Sequence, residues 1–407
     1  MSLELNEILK IALKGGASDI HMKSGLPPIF RIDGALVPLK NAERLLPDYL
    51  EKIAASIMNS VQKERFATNR ECDLAYGIAG LGRFRVNVFQ QRGTVGIVFR
   101  VIPFGVKTID QLVLPKIVES IANEQRGLIL VTGTTGSGKS TSLAAMIEHI
   151  NSARTCHIMT IEDPIEFLIR DRRSIVNQRE IGVDTQTFAA ALRAALRQDP
   201  DVILVGEMRD FETIETALTA AETGHLVLST LHTLDATETI NRIISVFPPH
   251  QQKQIRLQLA AVFRACISMR LVSRADNQGR APAVEVLRVT PYIRECVENK
   301  DKTKMIRDAI AQGTSQYGMQ TFDQSLHQLW QAKIITREEA LARATNRDEL
   351  RLRMEGIEST SQSSQAAMQE ALVGAPAPAG ETGAPVPAPR LNRSSLQDDF
   401  PPLPRSR

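Results

Sequence analysis

The chain has 407 residues, 43% of them apolar and 23% charged, with a formal net charge of only +3. That length suits two domains, each able to bury a core, and the near-neutral balance gives no electrostatic footprint for nucleic acid. The longest apolar runs, such as 127–131 and 259–263, are far shorter than the roughly 20 residues that cross a bilayer, so no transmembrane segment is expected. The opening Met1-Ser2-Leu3-Glu4-Leu5-Asn6-Glu7 is acidic where a secretory leader is basic, which makes the cytoplasm the expected address. Cys72, Cys156, Cys266 and Cys296 lie far apart without paired spacing, which argues against a disulfide framework and against a zinc site.

Residues 3–13 space their apolar side chains at helical intervals until Gly15-Gly16 stops the run. Further on, Arg83-Phe84-Arg85-Val86-Asn87-Val88 alternates strictly, which predicts a strand with Phe84, Val86 and Val88 on one face and Arg83, Arg85 and Asn87 on the other. The second face is suited to meeting something negative. A small α+β domain is expected over 1–105, ending where Val101-Ile102-Pro103-Phe104-Gly105-Val106-Lys107-Thr108 breaks periodicity as a linker does. From Gly127 onward, short β-branched runs at 128–131, 157–161, 202–205 and 226–229 alternate with helical stretches. That style predicts a parallel sheet covered by helices, filling a second domain over 106–355. Residues 356–407 turn to Ser, Gln, Ala and Pro, including Ala375-Pro376-Ala377-Pro378, and are expected to form a disordered tail.

The segment Gly133-Thr134-Thr135-Gly136-Ser137-Gly138-Lys139-Ser140 fits the phosphate-loop pattern at every fixed position, between a predicted strand and a helix opening near Lys139. Glycines let the backbone curl so that successive N–H groups face phosphate oxygens, and the helix N-terminus adds its positive dipole end. Lys139 is expected to reach the β- and γ-phosphates of ATP, Ser140 to offer its hydroxyl to Mg²⁺, and Thr141 to complete the nucleotide-binding run. A plain glycine-rich turn is the structural alternative, and the complete motif in its proper context outweighs it.

The run Asp201-Val202-Ile203-Leu204-Val205-Gly206-Glu207 ends an apolar strand in a carboxylate, where an acid able to orient the attacking water belongs. Thr160-Ile161-Glu162-Asp163-Pro164-Ile165-Glu166 sets three more acids past another strand. Glu162 and Asp163 are placed to touch the metal or its waters, whereas Asp163 and Glu166 equally suit a turn cap. His225 and His232 bracket the strand between them, and either suits γ-phosphate sensing or a structural role. Arg193, Arg197 and Arg209 read as surface or interface charges.

In order and spacing these boxes resemble the type II/IV secretion ATPase superfamily. Gly16-Ala17-Ser18-Asp19-Ile20-His21, Arg83-Phe84-Arg85-Val86-Asn87 and Gly318-Met319-Gln320-Thr321-Phe322-Asp323 are similar to its type IV pilus retraction branch, and the resemblance covers about 1–355. It implies an α/β protein with an N-terminal α+β PAS-like domain and a RecA-like P-loop motor, assembled as a homohexamer. It also implies ATP hydrolysis driving pilus retraction and twitching, a peripheral position at the inner membrane, a pilus platform protein as partner, and a paralogous retraction or extension ATPase as a further candidate partner. Carried onto this chain, the resemblance makes Glu207 the catalytic glutamate, puts Glu162 in the acidic box, has His232 sense nucleotide, and completes the histidine box with His225. Arg83, Arg85 and Arg100 become the candidates for phosphate contact across a subunit boundary.

Two departures stand out. Thr134 replaces a proline common in the retraction branch, at a position the loop leaves free. Tyr292-Ile293-Arg294-Glu295-Cys296 only partly matches that branch's Ala-Ile-Arg-Asn-Leu segment, which touches the direction of work rather than hydrolysis. The alternatives are a pilus-assembly or secretion ATPase, against which count the missing extra N-terminal domain and four-cysteine module, and a non-hydrolysing accessory subunit, against which count Lys139, Ser140 and Glu207. A nucleic-acid motor lacks a basic stripe with interleaved aromatics.

Overall fold

The computed structural model describes residues 4–357 apart from 33, 79–80 and 103–104. Contacts divide the chain into a unit Met1–Glu355 and a unit Gly356–Arg407, and the expected tail at 356–407 lies outside the described residues but for Gly356 and Ile357.

The first unit begins with helix α1 (Leu5–Lys14), whose Ile8, Leu9 and Ala12 recur on one buried face before Gly15 ends it. Strands β1 (Asp19–Lys23), β2 (Ile29–Ile32), β3 (Ala35–Pro38), β4 (Glu71–Ile78), β5 (Gly82–Gln91) and β6 (Thr94–Ile102) form an antiparallel sheet in the order β3-β2-β1-β6-β5-β4, with α2 (Pro47–Ile57) and α3 (Ser60–Asn69) inserted. The alternation read from 83–88 is realised, since Phe84, Val86 and Val88 are fully buried and Arg85 is exposed. They pack with Ile8, Leu9, Ile20, Leu50 and Phe99 into one apolar cluster. Strand β6 runs to Ile102, so the first two residues of the expected linker belong to the sheet instead.

A seven-stranded sheet follows, built from β7 (Gly127–Thr132), β8 (His157–Glu162), β9 (Ile175–Glu180), β10 (Val202–Val205), β11 (Leu226–Leu231), β12 (Phe263–Ser273) and β13 (Arg280–Arg288). Its order is β13-β12-β7-β11-β10-β8-β9, parallel except for the β12–β13 hairpin. Every residue of β7, β10 and β11 is buried, which is why these strands read as continuous apolar runs rather than as alternation. Leu128 and Leu130 face one helical layer and Ile129 and Val131 the other, so both faces are covered. The helices named below are α4 (Ile117–Ala122), α5 (Lys139–Ala153), α6 (Phe188–Ala195), α7 (Phe211–Glu222) and α8 (Ala236–Ser245). All four cysteines are free, and burial pushes the Cys266 thiol up to about 12. No described helix is long and apolar enough to cross a membrane.

One buried acid costs the fold something. Glu285 on β13 is 6% exposed, and burial pushes its carboxyl from 4.5 up to about 7, against the hydrogen bond it accepts from the Ala236 amide. Because the folded chain holds this proton more tightly than the unfolded one, the cost of ionisation is absent below 4.5, grows as pH rises and is complete above about 7. Glu285→Gln should therefore raise the urea midpoint at about pH 8 but not near pH 4.5, with a gain of up to about 3 kcal/mol. Urea unfolding at the two pH values checks it.

Candidate active site

The phosphate loop leaves the C-terminal end of β7, and α5 opens at Lys139 with no side chain capping its N-terminus. The first-turn amides of a 15-residue helix are thus left for a ligand, which suits an anion. Gly133 has φ +142°, and a Cβ there would lie 2.5 Å from the Met269 carbonyl and 2.6 Å from the Ser137 hydroxyl. Gly133→Ala should distort the loop and lower nucleotide affinity by on the order of tenfold or more, measured as ADP titration of the purified chain. Lys139 is 9% exposed, and its ammonium donates to the carbonyls of Gly133 at 2.9 Å and Thr134 at 3.0 Å. Burial lowers its pKa, an effect opposed by the nearby Glu207 and Glu166 carboxylates.

Next to β7 in the sheet come β11, β10 and β8, and their C-terminal ends bring His232, Glu207 and Glu162 to the same edge. Thr230 donates its hydroxyl to the Gly206 carbonyl at 2.6 Å, and the Met208 amide donates to the Thr230 carbonyl at 3.2 Å, holding the Glu207 turn against β11. One Glu207 oxygen lies 2.7 Å from the Arg209 guanidinium and 3.6 Å from His232 Nε2. Glu162 accepts hydrogen bonds from the Thr160 hydroxyl at 2.7 Å and the Gln178 amide at 3.0 Å. Its burial raises the carboxyl above the usual range, and those two bonds only partly offset it.

A cavity of about 520 Å³ collects Thr135, Gly136, Gly138, Lys139, Ser140 and Thr141 with Glu162, Asp163, Glu166, Glu207, Arg209, His232 and Arg280. Gly133, Thr134 and Ser137 shape the loop behind it without lining it. A second cavity of about 390 Å³ shares Gly138, Thr141, Leu271 and Arg280 with the first, and Lys107, Gln111, Arg274 and Asp276 are among its other lining residues. Ser140 shares this cavity with the carboxylates of Glu162 and Glu207, and oxygen donors of that kind suit a hard cation such as Mg²⁺. Among the described residues no group of three or more His, Cys, Asp or Glu side chains forms a protein-only metal cage.

Several expected residues stand elsewhere. His225 precedes β11 at its N-terminal end, with ring Nδ1 2.8 Å from the Ala220 carbonyl and 3.1 Å from the Thr223 hydroxyl. A six-residue strand, roughly 20 Å long, separates it from the cavity, which His225 does not line. None of the three N-terminal arginines lines the cavity. Arg83 pairs with Glu180 at 2.9 Å, and that carboxylate also accepts the Ile165 amide at 3.3 Å, which ties the N-terminal sheet to the acidic box. Arg100 pairs with Asp19 at 2.9 Å. Burial would raise Asp19, but the Arg100 and Ser18 hydrogen bonds outweigh it and hold the carboxyl below its ordinary value. Arg85 is exposed and forms no such pair among the described residues. Arg193 bonds Glu212, away from the cavity. The residue missed from sequence is Arg280, which has no local motif and is brought in by the hairpin register opposite Ser273.

The family described as Type II/IV secretion system protein matches residues 2–372. The type IV pilus retractation ATPase PilT of Pseudomonas aeruginosa is 44% identical over 342 residues, covering 84% of this chain and 98% of that protein. The type IV pilus ATPase PilU of the same organism is 41% identical over 350 residues, covering 86% and 91%. A crystal structure of the pilus retraction motor PilT with bound ADP superposes with a TM-score of 0.78 at 45% identity, covering 86% of this chain and 99% of that one. The chain therefore belongs to the type II/IV secretion ATPase family, in the pilus retraction ATPase type that these relatives represent. It is a P-loop ATPase with an N-terminal PAS-like α+β layer followed by a RecA-like motor fold.

Proposed function

We propose that the chain is a hexameric motor that hydrolyses ATP to power type IV pilus retraction and so twitching motility. The observation that carries the chemistry is the meeting of Lys139, Glu207 and His232 in one cavity at the C-terminal ends of neighbouring parallel strands. In this reading the loop amides and Lys139 hold the β- and γ-phosphates, and Ser140 would hold Mg²⁺, with Glu207 or Glu162 directly or through water. Bound there, the metal would neutralise charge developing on the phosphates. Glu207 accepts a hydrogen bond from the attacking water and aims it in line with the γ-phosphate. His232 reports the γ-phosphate to Glu207, and the cavity shared through Arg280 receives ribose and base.

We also propose a boundary between domains at 105/106, a reading supported by the separate apolar clusters over residues 8–99 and 109–350. Of the N-terminal arginines, Arg85 is assigned to reach a neighbouring subunit's phosphates, because Arg83 and Arg100 are already paired with acids. The motor works on the cytoplasmic side of the inner membrane against a pilus platform protein. Near-complete coverage of the retraction ATPase relative favours retraction over assembly. Deleting the gene should leave cells bearing excess pili and unable to twitch, with rescue by the parent chain but not by its Glu207→Gln variant. Loss of surface pili on deletion would instead support an assembly motor.

A further inference from the structure

Behind the phosphate loop lies a row of buried polar side chains that the chemistry above does not use. In register across three strands, Ser268 on β12 faces Thr132 on β7 and Glu285 on β13. The Thr132 hydroxyl donates to Ser268 Oγ at 3.1 Å, and the Ser268 hydroxyl approaches Glu285 Oε1 at 3.4 Å. The same Glu285 oxygen accepts the Ala236 amide at 2.9 Å. Thr132 and Ser268 are fully buried, so each needs its partner inside the protein. With both hydroxyls donating in the same sense, Glu285 is the acceptor that terminates the row.

The two ends of this row meet two segments that lead into the site, the phosphate loop and the turn that carries His232. Thr132 is the last residue before Gly133 and so anchors the phosphate loop. Ala236 is the first residue of α8, reached from β11 through His232, Thr233, Leu234 and Asp235. That short turn has no apolar anchor at Leu234, which is 51% exposed. Its far end is fixed by the Glu285–Ala236 bond and by a 2.6 Å contact between the Thr233 and Thr239 hydroxyls.

We infer that Glu285 is a positioning residue for ATP hydrolysis, clamping the His232 turn and the root of the phosphate loop into one frame so that His232 stays in register with Glu207. Glu285 does not itself line the nucleotide cavity. The inference rests on the hydrolytic reading of Lys139, Glu207 and His232, and misplacing one side of the site by a fraction of an ångström should slow turnover without abolishing nucleotide binding.

The test is steady-state hydrolysis by the purified full chain, with kcat expressed per ADP-binding site so that unfolded protein does not count. Glu285→Ala should lower kcat per site by on the order of tenfold with KM for ATP little changed. Glu285→Gln keeps an acceptor oxygen in place and should restore most of the rate. Should Glu285→Ala not yield folded protein, Ser268→Ala cuts the row at its middle and should show the same split between kcat and KM. A loss smaller than about fivefold per site in the variants that fold, or a Glu285→Gln protein as slow as Glu285→Ala, overturns the inference. If Glu207→Gln slows turnover while these variants do not, the inference alone falls; if Glu207→Gln is also fully active, the hydrolytic reading falls with it.

Discussion

Glu207→Gln should bind ATP about as tightly as the parent chain and turn it over more slowly by roughly 10²–10⁴-fold, the range expected when a group that handles the attacking water is lost. The amide keeps the size and the contact to Arg209 but can no longer draw a proton from water. Glu207 is about one-fifth exposed and sits on a turn pinned by Thr230, so the substitution should leave the local backbone in place. The effect should fall on kcat rather than on KM, the pattern of an interaction made only in the transition state. Single-turnover hydrolysis with equilibrium binding measured in parallel separates the two. Weakened binding with an unchanged chemical step would assign Glu207 to holding the nucleotide instead.

Lys139→Ala should fail earlier, at binding. The ammonium is buried in the loop against the Gly133 and Thr134 carbonyls, where few waters compete with a phosphate for it. Losing a charge-assisted contact of that kind should weaken ATP affinity by on the order of a hundredfold or more. Burial already disfavours the charged form of this lysine, so removing it should cost the ligand-free fold little. Thermal unfolding with and without ADP shows the difference. At a ligand concentration of about 100 times Kd the parent chain should gain about 2.7 kcal/mol from linkage, and the variant almost none. An equal ADP-dependent shift in both proteins would remove Lys139 from the binding site.

How much of this could be read from the sequence depends on the range of the interaction concerned. Val202–Val205 was legible to the residue because a strand buried on both faces must be apolar throughout. Glu207 and Glu162 were singled out because acids at or just past the ends of such strands lie at the carboxyl edge of a parallel sheet. The same rule puts His232, after its strand, at that edge and His225, before it, at the opposite one. Arg280 carries no local signal, since only the pairing of β12 with β13 sets it beside the phosphate loop. The acid partners of Arg83 and Arg100 lie 97 and 81 residues away in the chain, beyond the reach of any periodicity argument. Glu285 interrupts the apolar run of β13, and its buried partners come from β12 and α8, so nothing adjacent to it announces its place.

The most direct measurement is phosphate release by the pure full-length chain supplied with Mg²⁺ and ATP, run beside the Glu207→Gln protein. Steady release from the parent and near silence from the variant, with both retaining nucleotide, is the predicted result. A parent chain that holds ATP yet releases no phosphate would contradict a motor role and make it a nucleotide-gated subunit of another ring.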